Sequence, residues 1–184
     1  MRLLCRGDSK VPRPLCFVIM ELESRRILHY NVTAHPTAEW TLQQFRETLV
    51  NDHAYRIVIH DRDSLFSKEL DQSVADMGVR VIRTPARAPM ANSICERFGG
   101  TLRRECLDFV IPLTERHLKL ILKSWVNHFH HERPQMSLGP GTPVPRQSPS
   151  PENANRHNIP AGYVVLRKPI LGGLHHEYSL EAAA

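Results

Sequence analysis

A regular succession of short apolar runs and longer amphipathic stretches between residues 15 and 131 constrains the fold of this chain more than any other feature. The short runs are rich in β-forming residues, and in the longer stretches apolar residues recur every three or four positions. In chain order they predict strand, strand, helix, strand, helix, strand, helix and helix. This alternation is typical of an α/β domain, in which helices cover a sheet.

Local sequence signals set the expected bounds of these elements. The predicted strands are residues 15–22, 27–33, 55–60 and 79–84, and the predicted helices are residues 37–50, 67–77, 91–109 and 114–131. Thr114 is expected to cap the last helix, and Gly78 is expected to end the second. The third helix carries an apolar stripe formed by Cys95, Phe98, Leu102, Cys106 and Phe109.

Composition divides the rest of the chain. Residues 1–14 have no clear period and are predicted to be irregular, and residues 15–138 form the predicted core domain. Residues 139–162 contain six prolines, so we expect an extended linker there. Residues 163–184 form a carboxy-terminal tail, for which the sequence allows either an added strand or a segment docked on the core domain.

The charge balance and the cysteines suggest where the protein works. Lysine and arginine together number 24 against 19 acidic residues, a net charge of +5, which suits DNA as a partner without requiring it. No pair of the four cysteines has C-x-x-C spacing, so we expect free thiols in a reducing compartment. The longest apolar run, Cys16–Met20, is too short to cross a bilayer. We therefore expect a cytoplasmic protein without a membrane partner, associated with the nucleoid when bound to DNA.

Acidic residues mark a candidate metal site. Asp61 follows the third predicted strand at its carboxyl end, where ligands gather in α/β sheets. Asp63 comes two residues later, and Glu96 lies in the first two turns of the third helix, at the edge of its apolar stripe. Carboxylate oxygens are the ligands that Mg²⁺ prefers. The alternative interpretation makes Asp61 a loop-capping residue and Glu96 a surface acid paired with Arg103.

Basic residues and histidines near this region also need an interpretation. Positive side chains on the third and fourth helices are expected to contact the phosphates of DNA; they are Arg97, Arg103, Arg104 and Lys119. The cluster of His128, His130 and His131 suggests zinc, but it lacks cysteine or acidic partners at ligand spacing. We interpret these three as surface or packing residues.

Three segments resemble one known family. Residues 57–68 (IVIHDRDSLFSK), 84–104 (TPARAPMANSICERFGGTLRR) and 125–143 (WVNHFHHERPQMSLGPGTP) are similar, in order and spacing, to segments of the retroviral-integrase-like transposases of bacterial insertion sequences. The resemblance implies a ribonuclease-H-like fold, with a mixed sheet flanked by helices. It also implies Mg²⁺ or Mn²⁺ as cofactor, two ions in a complete site, and strand transfer of DNA ends.

The same resemblance assigns roles to individual residues. Asp61 matches the second catalytic aspartate of the family and Glu96 its catalytic glutamate, and both would be metal ligands. Asn92 and Arg97 match motif positions that are expected to support the site or the DNA. Asp63 stands where the family often has glycine, so it is expected to be a turn residue or at best a helper.

One departure from the family pattern concerns the first catalytic aspartate. In the family this residue lies on a central strand that precedes the run at residues 15–22, and only residues 1–14 precede that run here. Asp8 and Glu21 are the remaining candidates for a third carboxylate. We therefore expect the first central strand to be missing.

That expectation leaves two main functions open. One is a metal-dependent strand-transfer enzyme, and the other is a catalytically incomplete remnant that binds DNA or pairs with intact transposase or with itself. A metal-dependent nuclease of related fold is a weaker third hypothesis, because residues 125–143 are transposase-like.

Overall fold

The computed structural model describes residues 14–49, 54–85, 93–139, 141–145, 159 and 161–183. The chain divides into two compact units, residues 1–119 and residues 120–184. Within the described ranges, no helix is both long and apolar enough to span a membrane.

The first unit begins with an antiparallel pair of strands. Strand β1 (Leu15–Met20) pairs with β2 (Ile27–Thr33), and the register shifts at Ile19 and Met20. All six residues of β1 are buried, so side chains on both faces of the strand avoid water. This explains why the sequence reads LCFVIM without alternation, since a strand covered on both faces needs no polar side.

Helix α1 (Ala38–Thr48) follows, and the side chain of Thr37 caps it by accepting a hydrogen bond from the Trp40 N–H at 3.1 Å. Its buried residues are Thr41, Gln44 and Phe45. Gln44 is buried because its amide oxygen binds two side chains of β2, His29 Nε2 at 2.9 Å and Asn31 Nδ2 at 2.6 Å.

A strand–helix–strand unit comes next. Strand β3 (Ile57–His60) pairs in parallel with β4 (Arg80–Arg83), and helix α2 (Lys68–Ala75) connects them. Ser67 caps α2, and Gly78, with φ of 90°, lies in the left-handed region that follows the helix. The helix ends at Ala75, two residues before the predicted end at Met77, and Gly78 lies in the turn that follows it.

These elements share one apolar core. It is formed by the buried side chains of Phe17, Ile19, Phe45, Phe66, Leu70, Val74 and Val79. Phe17 meets the rings of Trp40 and Phe45 edge to face, each with centroids 5.8 Å apart. The core joins β1, the two helices and the loop that follows β3, and so supports the position of Asp61.

Helix α3 (Ser93–Glu105) is shorter than its predicted range, 91–109, of which residues 91 and 92 lie outside the described residues. Cys106 leaves helical geometry, with φ of −144°, and Leu107–Phe109 form a 3-10 turn. The expected stripe is buried at Cys95, Phe98, Leu102 and Cys106, but Phe109 is 66% exposed. That prediction was wrong for Phe109 because the change of helical geometry turns it away from the stripe.

Helix α4 (Glu115–His131) contains the boundary between the two units. Its apolar face is as predicted, with Leu118, Ile121, Leu122, Trp125 and Phe129 all buried. A 3-10 turn at Met136–Leu138 follows, and the Val144 N–H donates to the His130 carbonyl at 2.9 Å.

In the second unit, the carboxy-terminal tail forms a β-hairpin. The sequence analysis did not predict this hairpin. Strand β5 (Tyr163–Ile170) pairs antiparallel with β6 (His175–Ala182), and a 3-10 turn at Leu171–Gly173 joins them. Gly172 and Gly173 both have positive φ. A Gly-Gly pair between two β-rich runs is a hairpin signal, and it was present in the sequence.

The α/β class predicted from the sequence is confirmed, with helices and with both parallel and antiparallel strand pairs. In the described parts of the chain the strands form three separate pairs, β1–β2, β3–β4 and β5–β6. The irregular segment predicted at residues 1–14 lies, apart from Pro14, outside the described residues.

Candidate carboxylate site

Asp61 lies directly after β3, at the carboxyl end of that strand, and is partly buried. Its carboxylate Oδ1 accepts a hydrogen bond from the Asp63 backbone N–H at 3.2 Å. This bond holds one carboxylate oxygen of Asp61 against the loop that follows β3. Side chains of neighbouring elements hold the loop itself in place.

The residue before Asp61 is the main anchor of this loop. His60 is buried, and its ring stacks on Phe66 with centroids 4.0 Å apart. Its Nδ1 lies 2.6 Å from the Asp61 carbonyl oxygen and its Nε2 lies 3.0 Å from Asp71 Oδ1. The sequence analysis treated His60 only as the end of a strand and missed its positioning role.

Asp71 extends the network to the neighbouring strand. Its Oδ2 accepts a hydrogen bond from Arg83 Nε at 2.6 Å, and Arg83 Nη2 donates to the Phe66 carbonyl at 3.1 Å. Arg62 Nε donates to the Thr84 carbonyl at 3.0 Å. Thus the loop with Asp61 is tied to α2 and to the end of β4.

Asp63 organises the loop itself. Its Oδ1 accepts hydrogen bonds from the Leu65 N–H at 2.9 Å and the Ser64 hydroxyl at 3.4 Å, and its carbonyl accepts from the Phe66 N–H at 3.0 Å. Such side-chain to backbone bonds are what an aspartate provides in a turn.

Glu96 stands in the first turn of α3 and is exposed, whereas its neighbour Cys95 is buried. The pKa of the Cys95 thiol is raised to about 12, mainly by burial and additionally by the negative charges of Asp61 and Glu96. Two carboxylates from separate elements therefore act on one thiol. Cys95 itself stays protonated near neutral pH and is unsuited to bind metal as a thiolate.

The other candidate residues take different positions. Glu21 lies in the β1–β2 turn, where its carboxylate accepts a hydrogen bond from the Ser24 hydroxyl and lies 3.9 Å from Arg26 Nε. Asp8 and Asn92 lie outside the described residues. In the described part of the chain, no three histidine, cysteine or acidic side chains form a group that could hold a metal ion.

The fit to a divalent metal is thus partial. Asp61 and Glu96 offer oxygen ligands of the right kind for Mg²⁺ or Mn²⁺. Two ions held about 3.5–4 Å apart need a larger ligand set than two carboxylates. The residues that the structure describes do not complete a two-ion site.

Exposed basic side chains follow Glu96 along α3 and α4. Arg97, Arg103, Arg104 and Lys119 are all exposed. Arg103 Nε lies 3.6 Å from Asp108 Oδ1, in an ion pair about half exposed on both sides. A methyl group on Gly100 would lie 2.7 Å from the Arg104 guanidinium, so this glycine makes room for the arginine.

The histidine cluster of α4 belongs to the second unit. His128 is buried, its ring stacks on His175 with centroids 4.8 Å apart, and its Nδ1 lies 3.6 Å from Glu177 Oε1. Lys168 Nζ lies 3.7 Å from the other oxygen of Glu177. His128 therefore packs against the β5–β6 hairpin.

An α/β fold that presents an aspartate after a strand, a glutamate on a helix and exposed arginines is suited to chemistry on nucleic acid phosphates. Residues 77–143 match a family model described as an integrase core domain. This match supports an integrase or transposase catalytic core, and the mixed α/β architecture is consistent with a ribonuclease-H-like fold. The match includes Glu96 and the four basic residues, whereas Asp61 precedes it. No curated protein matches the chain.

Proposed function

We propose that the chain acts in DNA integration or transposition as an integrase core that binds DNA and contributes Asp61 and Glu96 to a metal-dependent phosphoryl-transfer site. The observation that carries this proposal is the match of residues 77–143, which include Glu96, to an integrase core domain. Asp61 precedes the matched segment, but it follows β3, the strand that pairs in parallel with β4 inside that segment.

Asp61 and Glu96 are the residues that would hold the metal, Mg²⁺ or Mn²⁺. When bound, such an ion polarises a phosphodiester and activates the attacking oxygen. The contribution of the chain's own residues is to fix Asp61, through the Asp63 N–H and the His60 network, and to place positive charge near DNA with Arg97, Arg103, Arg104 and Lys119.

The alternative is a catalytically incomplete core that binds DNA, a second copy or an intact transposase without joining ends. A specific observation favours it, namely the lack of a three-ligand acidic group in the described ranges. Asp8, outside those ranges, and Glu21, tied to Ser24 and Arg26, remain the candidates for a third ligand. On this proposal the chain works at DNA in the cytoplasm, where it is associated with the nucleoid.

An oligonucleotide joining assay with Mg²⁺ or Mn²⁺ separates the two functions. We expect the purified chain to show no more joining than an Asp61→Ala variant, because two carboxylates do not fix two ions. Joining that is lost in Asp61→Ala and in Glu96→Ala, but kept in a Glu69→Ala control on exposed α2 surface, would establish the complete enzyme. An added Asp8→Ala variant would then identify the third ligand.

The proposal as a whole depends on the carboxylate pair. Binding of Mn²⁺ can be followed by the relaxation of water protons, independently of joining. Weak Mn²⁺ binding that is lost in both Asp61→Asn and Glu96→Gln is the expected result. Binding that is unchanged in both variants would contradict the site.

A further inference from the structure

Four residues around the loop that follows β3 form a closed circuit of contacts. They are His60 at the end of β3, Phe66 in the loop, Asp71 on α2 and Arg83 at the end of β4. His60 contacts Asp71 Oδ1 and stacks on the Phe66 ring. Arg83 donates to Asp71 Oδ2 and to the Phe66 carbonyl. Because each member contacts two others, a change at one of them reaches the whole circuit.

The circuit holds Asp61 from two sides. On one side His60 Nδ1 lies 2.6 Å from the Asp61 carbonyl oxygen. On the other side the Phe66 N–H donates to the Asp63 carbonyl at 3.0 Å, and the Asp63 N–H donates to Asp61 Oδ1 at 3.2 Å. One path from the circuit therefore ends at the backbone of Asp61 and the other at its carboxylate. Hydrogen-bonding partners of this kind fix the orientation of a metal ligand.

The two charged members of the circuit have opposite signs. Arg83 Nε lies 2.6 Å from Asp71 Oδ2, and both side chains are partly buried. If these residues influenced a cation near Asp61 through their charge alone, loss of Asp71 would weaken its binding and loss of Arg83 would strengthen it. If they act by holding the loop, loss of either one would weaken it.

We propose that Asp71 and Arg83 are positioning residues, which hold the Asp61 carboxylate through His60 and Phe66 in the orientation that binds a divalent cation. This inference rests on the proposed function, in which Asp61 is a metal ligand. The affinity of the site for the cation then depends on the β3–α2–β4 unit as a whole, and not only on the residues that supply oxygen ligands.

Titration of the full chain with Mn²⁺, followed by the relaxation of water protons, tests the proposal. We expect Asp71→Asn and Arg83→Gln each to weaken Mn²⁺ binding by about tenfold or more, the usual effect of removing a residue that orients a metal ligand. Weaker binding in Asp71→Asn together with stronger binding in Arg83→Gln would overturn the proposal in favour of a simple charge effect.

Matched controls make the same charge changes at exposed residues close by. Asp76→Asn lies directly after α2, and Arg80→Gln lies on β4. Both should leave the Mn²⁺ affinity nearly unchanged. Losses equal to those of Asp71→Asn and Arg83→Gln would show that the circuit has no special effect on the site.

A purely structural role is separated from positioning by working on folded protein. Thermal unfolding of each variant gives a temperature at which all of them are folded, and Mn²⁺ is titrated there. Arg83→Lys serves as a milder variant, because it keeps the charge but one ammonium group does not reproduce the planar double donation of a guanidinium. It should also weaken Mn²⁺ binding, and full affinity in Arg83→Lys would contradict the proposal.

An Asp61→Asn variant in the same titration distinguishes this inference from the proposed function. If the unmodified chain binds no Mn²⁺, or if Asp61→Asn binds it equally well, the proposed metal site is wrong and the inference is wrong with it. If binding depends on Asp61 but neither Asp71→Asn nor Arg83→Gln weakens it, only the positioning role is refuted.

Discussion

The imidazole of His60 joins the carbonyl of Asp61 to the carboxylate of Asp71, with Nδ1 2.6 Å from the one and Nε2 3.0 Å from the other. Both of these neighbours are hydrogen-bond acceptors. The backbone of the candidate catalytic aspartate is thus held by its buried neighbour, His60.

Replacing Asp71 should destabilise the first unit. In Asp71→Asn, Arg83 and the buried His60 lose their charged partner, at a cost of about 1–3 kcal/mol in the free energy of unfolding. Urea denaturation measures this loss. Asp76→Asn is a matched control on the same helix, because Asp76 is exposed and accepts only a surface bond from Gln72, and it should change stability by about 0.5 kcal/mol or less. Equal losses of unfolding free energy in the two variants would show that the contacts of Asp71 with His60 and Arg83 do not stabilise the fold.

The Cys95 thiol reports on both carboxylates. Asp61→Asn and Glu96→Gln should each lower the pKa of Cys95, because each removes a negative charge that disfavours the thiolate. At fixed pH, a fall of about half a pKa unit raises the thiolate fraction, and with it the alkylation rate, about threefold. The rate is measured by mass spectrometry of the peptide that contains Cys95.

The matched control for this experiment is Asp108→Asn, which changes an exposed acid just beyond α3. It should leave the alkylation rate of Cys95 unchanged. A rate that responds to Glu96→Gln but not to Asp61→Asn would separate the two carboxylates in space and would contradict the shared site.

Acid should weaken the second unit through His128. Its pKa is lowered by burial and by the charge of His175, while Glu177 and Glu132 act in the opposite direction and Lys168 faces Glu177. Folding therefore favours the neutral form of His128. The contribution of neutral His128 to the free energy of unfolding is complete above the unfolded pKa of about 6.5. It is lost as the pH falls below that value towards the lower pKa of the folded state.

Chemical denaturation at several pH values measures this effect. The slope for one such group is at most about 1.4 kcal/mol per pH unit. His128→Gln removes the titrating ring and should flatten the dependence, whereas His117→Gln, at an exposed histidine, should leave it unchanged. Stability that rises on acidification, or an unaltered slope in His128→Gln, would refute the assignment.

DNA affinity should depend on the exposed arginines of α3. Arg103→Gln combined with Arg104→Gln should weaken binding to duplexes of any sequence, and the slope of log affinity against log salt should fall by roughly 1 for each phosphate that the variant no longer neutralises. Fluorescence anisotropy at several salt concentrations gives both quantities. The charge-matched control replaces two exposed basic residues of α1 and α2, in Arg46→Gln combined with Lys68→Gln, and should bind DNA as the unmodified chain does. An equal loss of DNA affinity in this control would show that only net charge matters.

Much of the fold could be predicted because burial leaves a clear pattern in single elements. The uninterrupted apolar run of β1 predicts burial of both faces of the strand, and the apolar stripe of α4 predicts burial of one helix face, as the structure has them. Gln44 shows the limit of this reasoning. A polar residue was not expected inward on α1, yet it is buried because β2 supplies two hydrogen-bonding partners that no local pattern reveals.

The candidate site was predictable in part for a similar reason. Asp61 and Glu96 are recognisable in the sequence because each is an acidic residue next to an apolar pattern. Asp61 follows the apolar strand β3, and Glu96 borders the apolar stripe of α3. His60 depends on Asp71 and Arg83, which the β3–α2–β4 connection brings together from positions 11 and 23 residues further along the chain. Such an arrangement follows from the crossover of parallel strands and has no signature of its own in the sequence.

The parallel pairing of β3 with β4 determines where this protein can tolerate a change of length. Ile57 to His60 pair one to one with Arg80 to Arg83, and successive side chains alternate between the two faces. An added residue inside β3 would carry His60 to the opposite face and Asp61 with it. An added residue after Gly78, before β4, would leave β3 as it is. Linker insertions are thus better placed at the amino-terminal end of β4 than anywhere in the four residues that precede Asp61.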